Sequence, residues 1–143
     1  AQSATIGRNI EVEDTLVMNI LWENGSLGTM AVTMLAYPEN IEGSFTILGE
    51  KGSVRIGGKA VNKIELWKFK NQHKDDLEIE KCNTDPKNIY GFGHYMFYKN
   101  MLDDLQGKDK AICNGEEGLK SLEVIIAAYK SVLNGEKINL PLS

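Results

Sequence analysis

Short runs rich in β-branched and large apolar residues fill much of the first half of the chain, and the later runs alternate apolar and polar residues; both patterns are typical of β-strands. The first two runs are Thr15–Trp22 and Leu27–Leu35. The Asn24-Gly25 pair between them favours a β-hairpin closed by a type I′ turn. Pro38 ends the second run, because proline has no N–H to donate to a neighbouring strand.

Four more strands are predicted further along the chain. They are Ser44–Gly49, Ser53–Ile56, Lys63–Phe69 and Leu77–Glu80. Glu50-Lys51-Gly52 forms a tight turn between the first two of these. In the third, the alternation places Ile64 and Leu66 on one face and Trp67 and Phe69 on the other. Together the six short strands predict an open, mostly antiparallel sheet.

The last third of the chain repeats apolar residues at the spacing of amphipathic helices. One helix is predicted to reach Leu105 and to stop at Gly107. A second begins at Asn114, a capping candidate, and ends at Gly135. A last short strand is predicted over Lys137–Leu140. Strands followed by helices predict an α+β fold in which two helices pack on one face of the sheet.

Composition is that of a single globular domain, with 42% hydrophobic and 25% charged residues in a chain of 143. No apolar run approaches the ~20 residues that span a bilayer, and no signal peptide is visible. The net charge is -4 and the lysines and arginines are scattered, which argues against a nucleic-acid partner. Cys82 and Cys113 lack the spacing of metal ligands, so we expect reduced thiols in a cytoplasmic protein and no metal site.

Two residues are candidates for ligand contact. His94 lies in the segment Asn88–His94, where a loop is predicted to become a helix and where two glycines let a ligand approach the backbone. Tyr90 lies in the same segment. Each has a structural alternative: His94 as a residue that caps or packs the helix start, and Tyr90 as a core or hinge residue.

Other motifs do not specify an enzyme. Gly91-Phe92-Gly93 begins a GxGxxG pattern, but Met96 stands where the last glycine belongs, and no parallel strand is predicted before it. Adjacent acids such as Glu13-Asp14 point in different directions, so we interpret them as surface or capping features rather than acid–base pairs. The spacing supports no Ser-His-Asp or Cys-His grouping, and no catalytic residue is predicted.

Six segments along the chain form a familiar series. They are Glu11–Thr15, Trp22–Gly28, Ile47–Ser53, Gly93–Tyr98, Gly118–Ile125 and Gly135–Leu142. In this order, over about residues 11–142, they resemble the C-terminal domain of the glucose-fructose oxidoreductase/inositol dehydrogenase (Gfo/Idh/MocA) family. Glu11–Thr15 and Tyr90–His94 look most like the sugar-nucleotide oxidases of this family, the UDP-N-acetylglucosamine and UDP-N-acetylglucosaminuronate 3-dehydrogenases.

The resemblance implies a place in a larger enzyme. Family members join an N-terminal Rossmann domain, which binds NAD or NADP, to an α+β domain whose sheet shapes the substrate side of the cleft. The exposed face of that sheet commonly builds a dimer or tetramer. Residues 1–143 would then be a single substrate-binding and oligomerisation domain of an oxidoreductase that transfers hydride from a sugar or sugar nucleotide. Tyr90 and His94 match the segment that approaches the substrate.

The family's cofactor-binding and catalytic segments have no counterpart in this sequence. It contains no Gly-rich strand-turn-helix, no Glu-Lys-Pro segment with the catalytic lysine and no helix with the catalytic histidine. In the family, all of these precede the position of Ala1, which is itself not a methionine. We therefore expect a C-terminal fragment that is inactive alone, with no cofactor-binding residue of its own and with NAD or NADP bound by the absent Rossmann domain.

Two other classes of function stay open. The chain could be a free-standing module that binds a sugar nucleotide or another small molecule. It could also be a structural assembly domain without a ligand, whose sheet face pairs with a second copy. Under the family interpretation we expect a sugar or sugar-nucleotide substrate and a homo-oligomer formed through the open sheet face, without nucleic acid or membrane as partners.

Overall fold

The computed structural model describes residues 1–87 and 90–142 and confirms the α+β class. Its elements are β1 (Gln2–Ala4), β2 (Thr15–Leu21), β3 (Leu27–Thr33), β4 (Phe45–Gly49), β5 (Gly52–Gly57), β6 (Lys63–Phe69), a 3-10 helix (Lys74–Cys82), α1 (Gly93–Leu105) and α2 (Gly115–Asn134). The chain forms two compact units. The first joins Ala1–Ala36 to the chain from Ile112 onward, and the second is Tyr37–Ala111.

The strands pair as two antiparallel sheets of three, in the orders β1-β2-β3 and β4-β5-β6, rather than as the one sheet we expected. We call them the N-terminal sheet and the central sheet. Strand β1, which the alternation did not predict, pairs with the start of β2. The segment between β3 and β4 contains Pro38, which cannot donate a ladder hydrogen bond. The sheet therefore stops at β3, and pairing resumes with the β4–β5 hairpin.

The predicted hairpin between β2 and β3 is confirmed, but its turn is not of type I′. The Trp22 N–H donates to the Ser26 carbonyl at 3.0 Å. Gly25 has a positive φ of 84°, whereas Asn24 does not and instead accepts a hydrogen bond from the Ser26 N–H on its side-chain oxygen at 3.0 Å. A type I′ turn needs a positive φ at both central residues, so the predicted turn type was wrong.

Helix α2 has the predicted ends. The Asn114 side chain accepts a hydrogen bond from the Glu117 N–H at 3.0 Å, which satisfies a donor of the first turn. Gly135 ends the helix in the left-handed conformation, at φ 69°. Ala127 and Ala128 are the buried residues of α2, and these small side chains allow the helix to pack closely along β1.

A β-bulge in β6 changes which side chains share a face of the central sheet. Val54 pairs with Trp67, and Ile56 pairs with Ile64, so one extra residue of β6 lies between these pairs. Directly paired residues share a face, which places Ile64 beside Trp67. Leu66 pairs with Arg55 on the opposite face. The expectation that Ile64 shares a face with Leu66 and opposes Trp67 is therefore wrong.

Two predicted strands are absent from the described residues. Leu77–Glu80 belongs to the 3-10 helix, whose first turn Asp76 fixes by accepting hydrogen bonds from the indole of Trp67 and from the His73 N–H. Lys137–Leu140 is irregular backbone that follows α2. In both places a four-residue alternation was too short to determine the structure.

The two helices lie in different units. Helix α2 belongs to the unit of the N-terminal sheet, whereas α1 belongs to the second unit and contributes no buried residue. Among the described residues, α2 packs along β1, whereas no comparable packing of α1 on a strand is found, which differs from what we expected of both helices. Within the described ranges, no helix is long and apolar enough to cross a membrane.

Candidate functional site

Tyr90 and His94, the two candidate substrate-binding residues, lie together at the start of α1. Their ring centroids are 6.0 Å apart, and the rings meet edge to face at 70°. Both side chains are exposed, Tyr90 to 70%. Two residues of the candidate segment, Asn88 and Ile89, lie outside the described residues.

The local backbone explains why the two rings meet. Gly91 has a φ of 63°, a left-handed conformation that glycine adopts without steric cost, and it turns the chain between Tyr90 and the helix. Helix α1 then begins at Gly93, preceded by Phe92, which makes no side-chain capping hydrogen bond. The positive end of the helix dipole lies beside His94, and this end of a helix favours negatively charged groups.

The arrangement suits binding better than chemistry. The Tyr90 phenol and the His94 imidazole present hydrogen-bonding atoms beside aromatic surface. Exposed rings of this kind can stack on a ligand and orient its polar groups. An acid–base reaction usually takes place in a concave pocket that removes the reacting groups from water, and these side chains are open to solvent.

A second polar cluster, in the first unit, was missed by the sequence analysis. Asp14 was expected at the surface or as a cap; it is only 3% exposed, so the surface alternative was wrong and the capping alternative applies. Its carboxylate accepts hydrogen bonds from the N–H groups of Ile6, Gly7 and Arg8 at 2.8–3.0 Å. The Thr15 hydroxyl donates to the same carboxylate at 3.0 Å. Asp14 thus caps three successive N–H groups of the loop between β1 and β2.

These hydrogen bonds stabilise the charged form of Asp14. The N–H of Gly7 contributes most, and the N–H groups of Ile6 and Arg8 and the Thr15 hydroxyl add to it. They outweigh the effect of burial and lower the pKa of Asp14 to about 2. Both oxygens of the carboxylate already accept hydrogen bonds from the loop or from Thr15, so the role of Asp14 is structural.

Glu13, the neighbour of Asp14, connects the same loop to α2. The Tyr129 hydroxyl donates to the Glu13 carboxylate, and this hydrogen bond holds the pKa of Tyr129 above its ordinary value. The Tyr129 ring is partly exposed, while its hydroxyl makes this contact. The Glu13-Asp14 pair therefore organises the first unit rather than forming an acid–base pair.

Two open hollows occur in the second unit, and neither is lined by Tyr90 or His94. The larger, of about 420 Å³, lies at the β4–β5 turn beside Lys51, Lys68 and Lys70. The smaller, of about 320 Å³, lies between the end of β6 and the 3-10 helix. Tyr90 and His94 lie outside both hollows, and their side chains are exposed.

The described residues form no Rossmann-type cradle for a nicotinamide dinucleotide. Every strand pair among them is antiparallel, whereas a dinucleotide cradle needs a parallel strand leading into a glycine-rich turn and a helix. Gly91 and Gly93 precede α1 without such a strand. In the same part of the chain, no three His, Cys, Asp or Glu side chains are grouped closely enough to hold a metal ion.

Comparison with known proteins identifies a family. The family model for the C-terminal alpha/beta domain of the Gfo/Idh/MocA oxidoreductases matches residues 2–140. The WlbA dehydrogenase from Bordetella pertussis, solved in complex with NADH and UDP-GlcNAcA, is 48% identical with a TM-score of 0.93. The WlbA dehydrogenase from Chromobacterium violaceum, solved with the same two ligands, is 49% identical with a TM-score of 0.89.

The match covers 99% of this chain but only 41% and 39% of the two WlbA chains. An oxidoreductase domain protein from Kribbella flavida is 17% identical, with a TM-score of 0.66 over 92% of this chain and 39% of its own, and shows the fold alone. A comparison with curated protein sequences gave no match.

Proposed function

Because the chain belongs to the Gfo/Idh/MocA oxidoreductase family, whose C-terminal alpha/beta domain it represents, we propose that it is the substrate-binding domain of an NAD-dependent sugar-nucleotide dehydrogenase. The proposed substrate is UDP-GlcNAcA or a closely related UDP-sugar, oxidised at a sugar hydroxyl. The observation that carries this proposal is the identity of 48% and 49%, over 99% of the chain, to two dehydrogenases in complex with NADH and UDP-GlcNAcA.

In this proposal, the substrate and the cofactor are bound by two different domains. Residues 1–143 act as one substrate-binding and oligomerisation domain, and a Rossmann domain outside this sequence binds the nicotinamide cofactor. The antiparallel strands, which offer no dinucleotide cradle, support this division. The catalytic residues also lie outside these residues, so the chain alone is inactive. Two free cysteines fit our placement of the enzyme in the cytoplasm.

Tyr90 and His94 are the proposed substrate contacts in this chain. A UDP-sugar is anionic and carries a planar base and several hydroxyls. The paired rings offer stacking surface and hydrogen bonds, and the start of α1 offers the positive end of a helix dipole. These features match the charge and the shape of such a ligand.

The test is steady-state kinetics on the protein in which this domain is joined to its cofactor-binding part, with UDP-GlcNAcA and NAD. Tyr90→Phe and His94→Gln each remove hydrogen-bonding capacity at the site. We expect each to raise KM for the UDP-sugar about 3- to 10-fold and to leave kcat within about twofold, since a lost hydrogen bond is worth about 0.5–1.5 kcal/mol.

Tyr37→Phe is the matched control for Tyr90→Phe, because it removes the hydroxyl of a fully exposed tyrosine elsewhere in the chain. It should leave KM unchanged. Wild-type KM values for both Tyr90→Phe and His94→Gln would remove these residues from the substrate site. Absence of UDP-sugar-dependent NADH formation by the wild-type protein would overturn the proposed function itself.

We also propose that copies of the protein associate through the central sheet. Pairing and the β6 bulge place only apolar side chains on one of its faces, which we call the apolar face. The association surface on this face consists of Phe45, Ile47, Val54, Ile56 and Ile64. Trp67 and Phe69 lie on the same face but beside the 3-10 helix, and they are not part of the proposed contact. Phe45 and Ile47 are about half exposed. An apolar surface of this kind supports association, because burying it removes apolar area from water.

A further inference from the structure

The hollow between β6 and the 3-10 helix has features of a binding pocket that the proposed dehydrogenase function does not use. It has a volume of about 320 Å³. Its aromatic wall consists of Trp67 and Phe69, whose ring centroids are 5.1 Å apart at an interplanar angle of 63°. Ile79 of the 3-10 helix adds an apolar side chain to the lining.

Glycine at position 52 makes room for this wall. Gly52 of β5 pairs directly with Phe69 of β6. A Cβ atom at Gly52 would lie 2.3 Å from Cδ1 of Phe69 and 2.8 Å from the Lys68 carbonyl oxygen, far inside van der Waals contact. The Phe69 ring therefore lies over the backbone of β5, a place that a larger residue at position 52 would occupy.

Asp76 fixes the opposite side of the pocket. Its carboxylate accepts a hydrogen bond from the Trp67 indole N–H at 2.9 Å and another from the His73 N–H at 2.7 Å. The Asp76 N–H in turn donates to the His73 carbonyl at 3.0 Å. The hydrogen bonds that the carboxylate accepts, that of the His73 N–H first and that of the Trp67 indole second, lower the pKa of Asp76. An indole that donates to a carboxylate also has a more electron-rich ring, which strengthens its attraction for cations.

Two carboxylates lie in the pocket lining, and the lysines nearest to them in sequence, Lys68, Lys70 and Lys74, do not line it. Asp75 and Asp76 both belong to its lining, and the Asp75 carboxylate lies 3.3 Å from Nδ1 of His73. Among the described residues, no lysine or arginine lines this pocket. Aromatic rings with carboxylates at their edge are the combination that attracts an organic cation, through cation–π contact and charge pairing together.

We propose that this pocket binds the head group of an organic cation, a guanidinium or a substituted ammonium, against Trp67 and Phe69 with Asp75 and Asp76 as counter-charges. The volume accommodates one such group with its adjoining methylenes. The carboxylates distinguish this site from the Tyr90–His94 surface, where the proposed ligand is an anion. The proposal stands independently of the dehydrogenase function.

Tryptophan fluorescence tests the proposal directly. The chain has two tryptophans, so Trp22→Phe leaves Trp67 as the only indole. In this background we expect a saturable change in emission on titration with tetramethylammonium chloride or with Nα-acetyl-argininamide, and none with sodium chloride at equal ionic strength. Phe69→Leu should weaken the binding of both cations about 2- to 5-fold, as expected for one exposed cation–π contact.

The carboxylate is tested by Asp75→Asn, which removes one charge from an exposed side chain and should weaken binding about threefold. Glu78→Gln is the matched control: it removes a charge from the same 3-10 helix at a residue that does not line the pocket. It should leave the affinity unchanged. Circular dichroism verifies that each variant is folded. Emission that does not saturate with either cation, or equal losses in Asp75→Asn and Glu78→Gln, would overturn the proposal.

Discussion

A single carboxylate determines the conformation of the loop that joins β1 to β2. The Asp14 carboxylate accepts hydrogen bonds from three successive backbone N–H groups, those of Ile6, Gly7 and Arg8, and Asp14 is almost fully buried. The sequence could not indicate this role, because a buried acid before a strand has the same local pattern as an exposed one. Only the return of a loop eight residues upstream brings the donors to the carboxylate.

The role of Asp14 leads to a prediction about stability and pH. Asn keeps the size of the side chain but loses the charge and one acceptor, so Asp14→Asn should lower Tm at pH 7 by about 5 °C. The folded-state pKa of about 2 lies below the unfolded value of ~3.9, so the ionised group stabilises the fold above pH ~3.9 and loses this effect as pH falls towards 2.

Thermal denaturation between pH 7 and pH 2 measures this directly. The difference in Tm between wild type and Asp14→Asn should be constant above about pH 5 and should shrink towards pH 2. Asp85→Asn, at an exposed residue, is the control and should match wild type throughout. A difference that is independent of pH would show that the charge of Asp14 does not stabilise the fold.

Hairpins and helix ends were predictable because their signals are local. The Asn24-Gly25 pair marked the β2–β3 hairpin, and Asn114 and Gly135 marked the ends of α2. The 3-10 helix was not predictable, since its first turn depends on hydrogen bonds between Asp76 and the indole of Trp67 in β6. Nor was the β6 bulge, because the adjacent apolar residues Leu66 and Trp67 interrupt the alternation without showing that Ile64 shares the face of Trp67.

Two glycines of the β4–β5 hairpin provide a test of packing between neighbouring strands. Gly52→Ala places a methyl group against the Phe69 ring and the Lys68 carbonyl, and overpacking of this kind costs about 1–3 kcal/mol in unfolding free energy. Gly49→Ala introduces the same methyl group 3.4 Å from the Gly52 carbonyl, where it fits. Urea denaturation should show a loss for Gly52→Ala and little change for Gly49→Ala. Equal stability of the two variants would contradict the close approach of Phe69 to β5.

At the scale of the whole molecule, exposed apolar side chains are the main feature that the sequence pattern underestimated. The apolar faces of both helices were expected to pack on the sheet, yet α1 has no buried residue and only Ala127 and Ala128 are buried in α2. Residue periodicity indicates which side chains share a face, but it cannot show whether that face is covered within the same chain. The large amount of apolar surface supports the proposal that this domain functions within a larger assembly.

If copies associate through the apolar face, charges at two adjacent residues of β4 should have different effects on the oligomeric state. Ile47 and Leu48 are adjacent in β4, are 59% and 79% exposed, and point to opposite faces of the central sheet. Ile47→Glu places a charge on the apolar face and should convert the oligomer to a monomer at micromolar concentration. Leu48→Glu places the same charge on the face of Arg55 and should leave the oligomer intact. Light scattering measures both; a monomeric wild type, or dissociation by Leu48→Glu alone, would contradict association through this face.

The most direct test of the central claim, that this domain binds the substrate and not the cofactor, is saturation-transfer NMR on this chain with UDP-GlcNAcA and NADH as separate ligands. We expect saturation transfer to UDP-GlcNAcA, a weaker transfer in a variant that combines Tyr90→Phe with His94→Gln, and no transfer to NADH. Transfer to NADH would place a cofactor site within these residues, and transfer to neither ligand would exclude the domain as an independent substrate-binding unit. Either result would contradict the account.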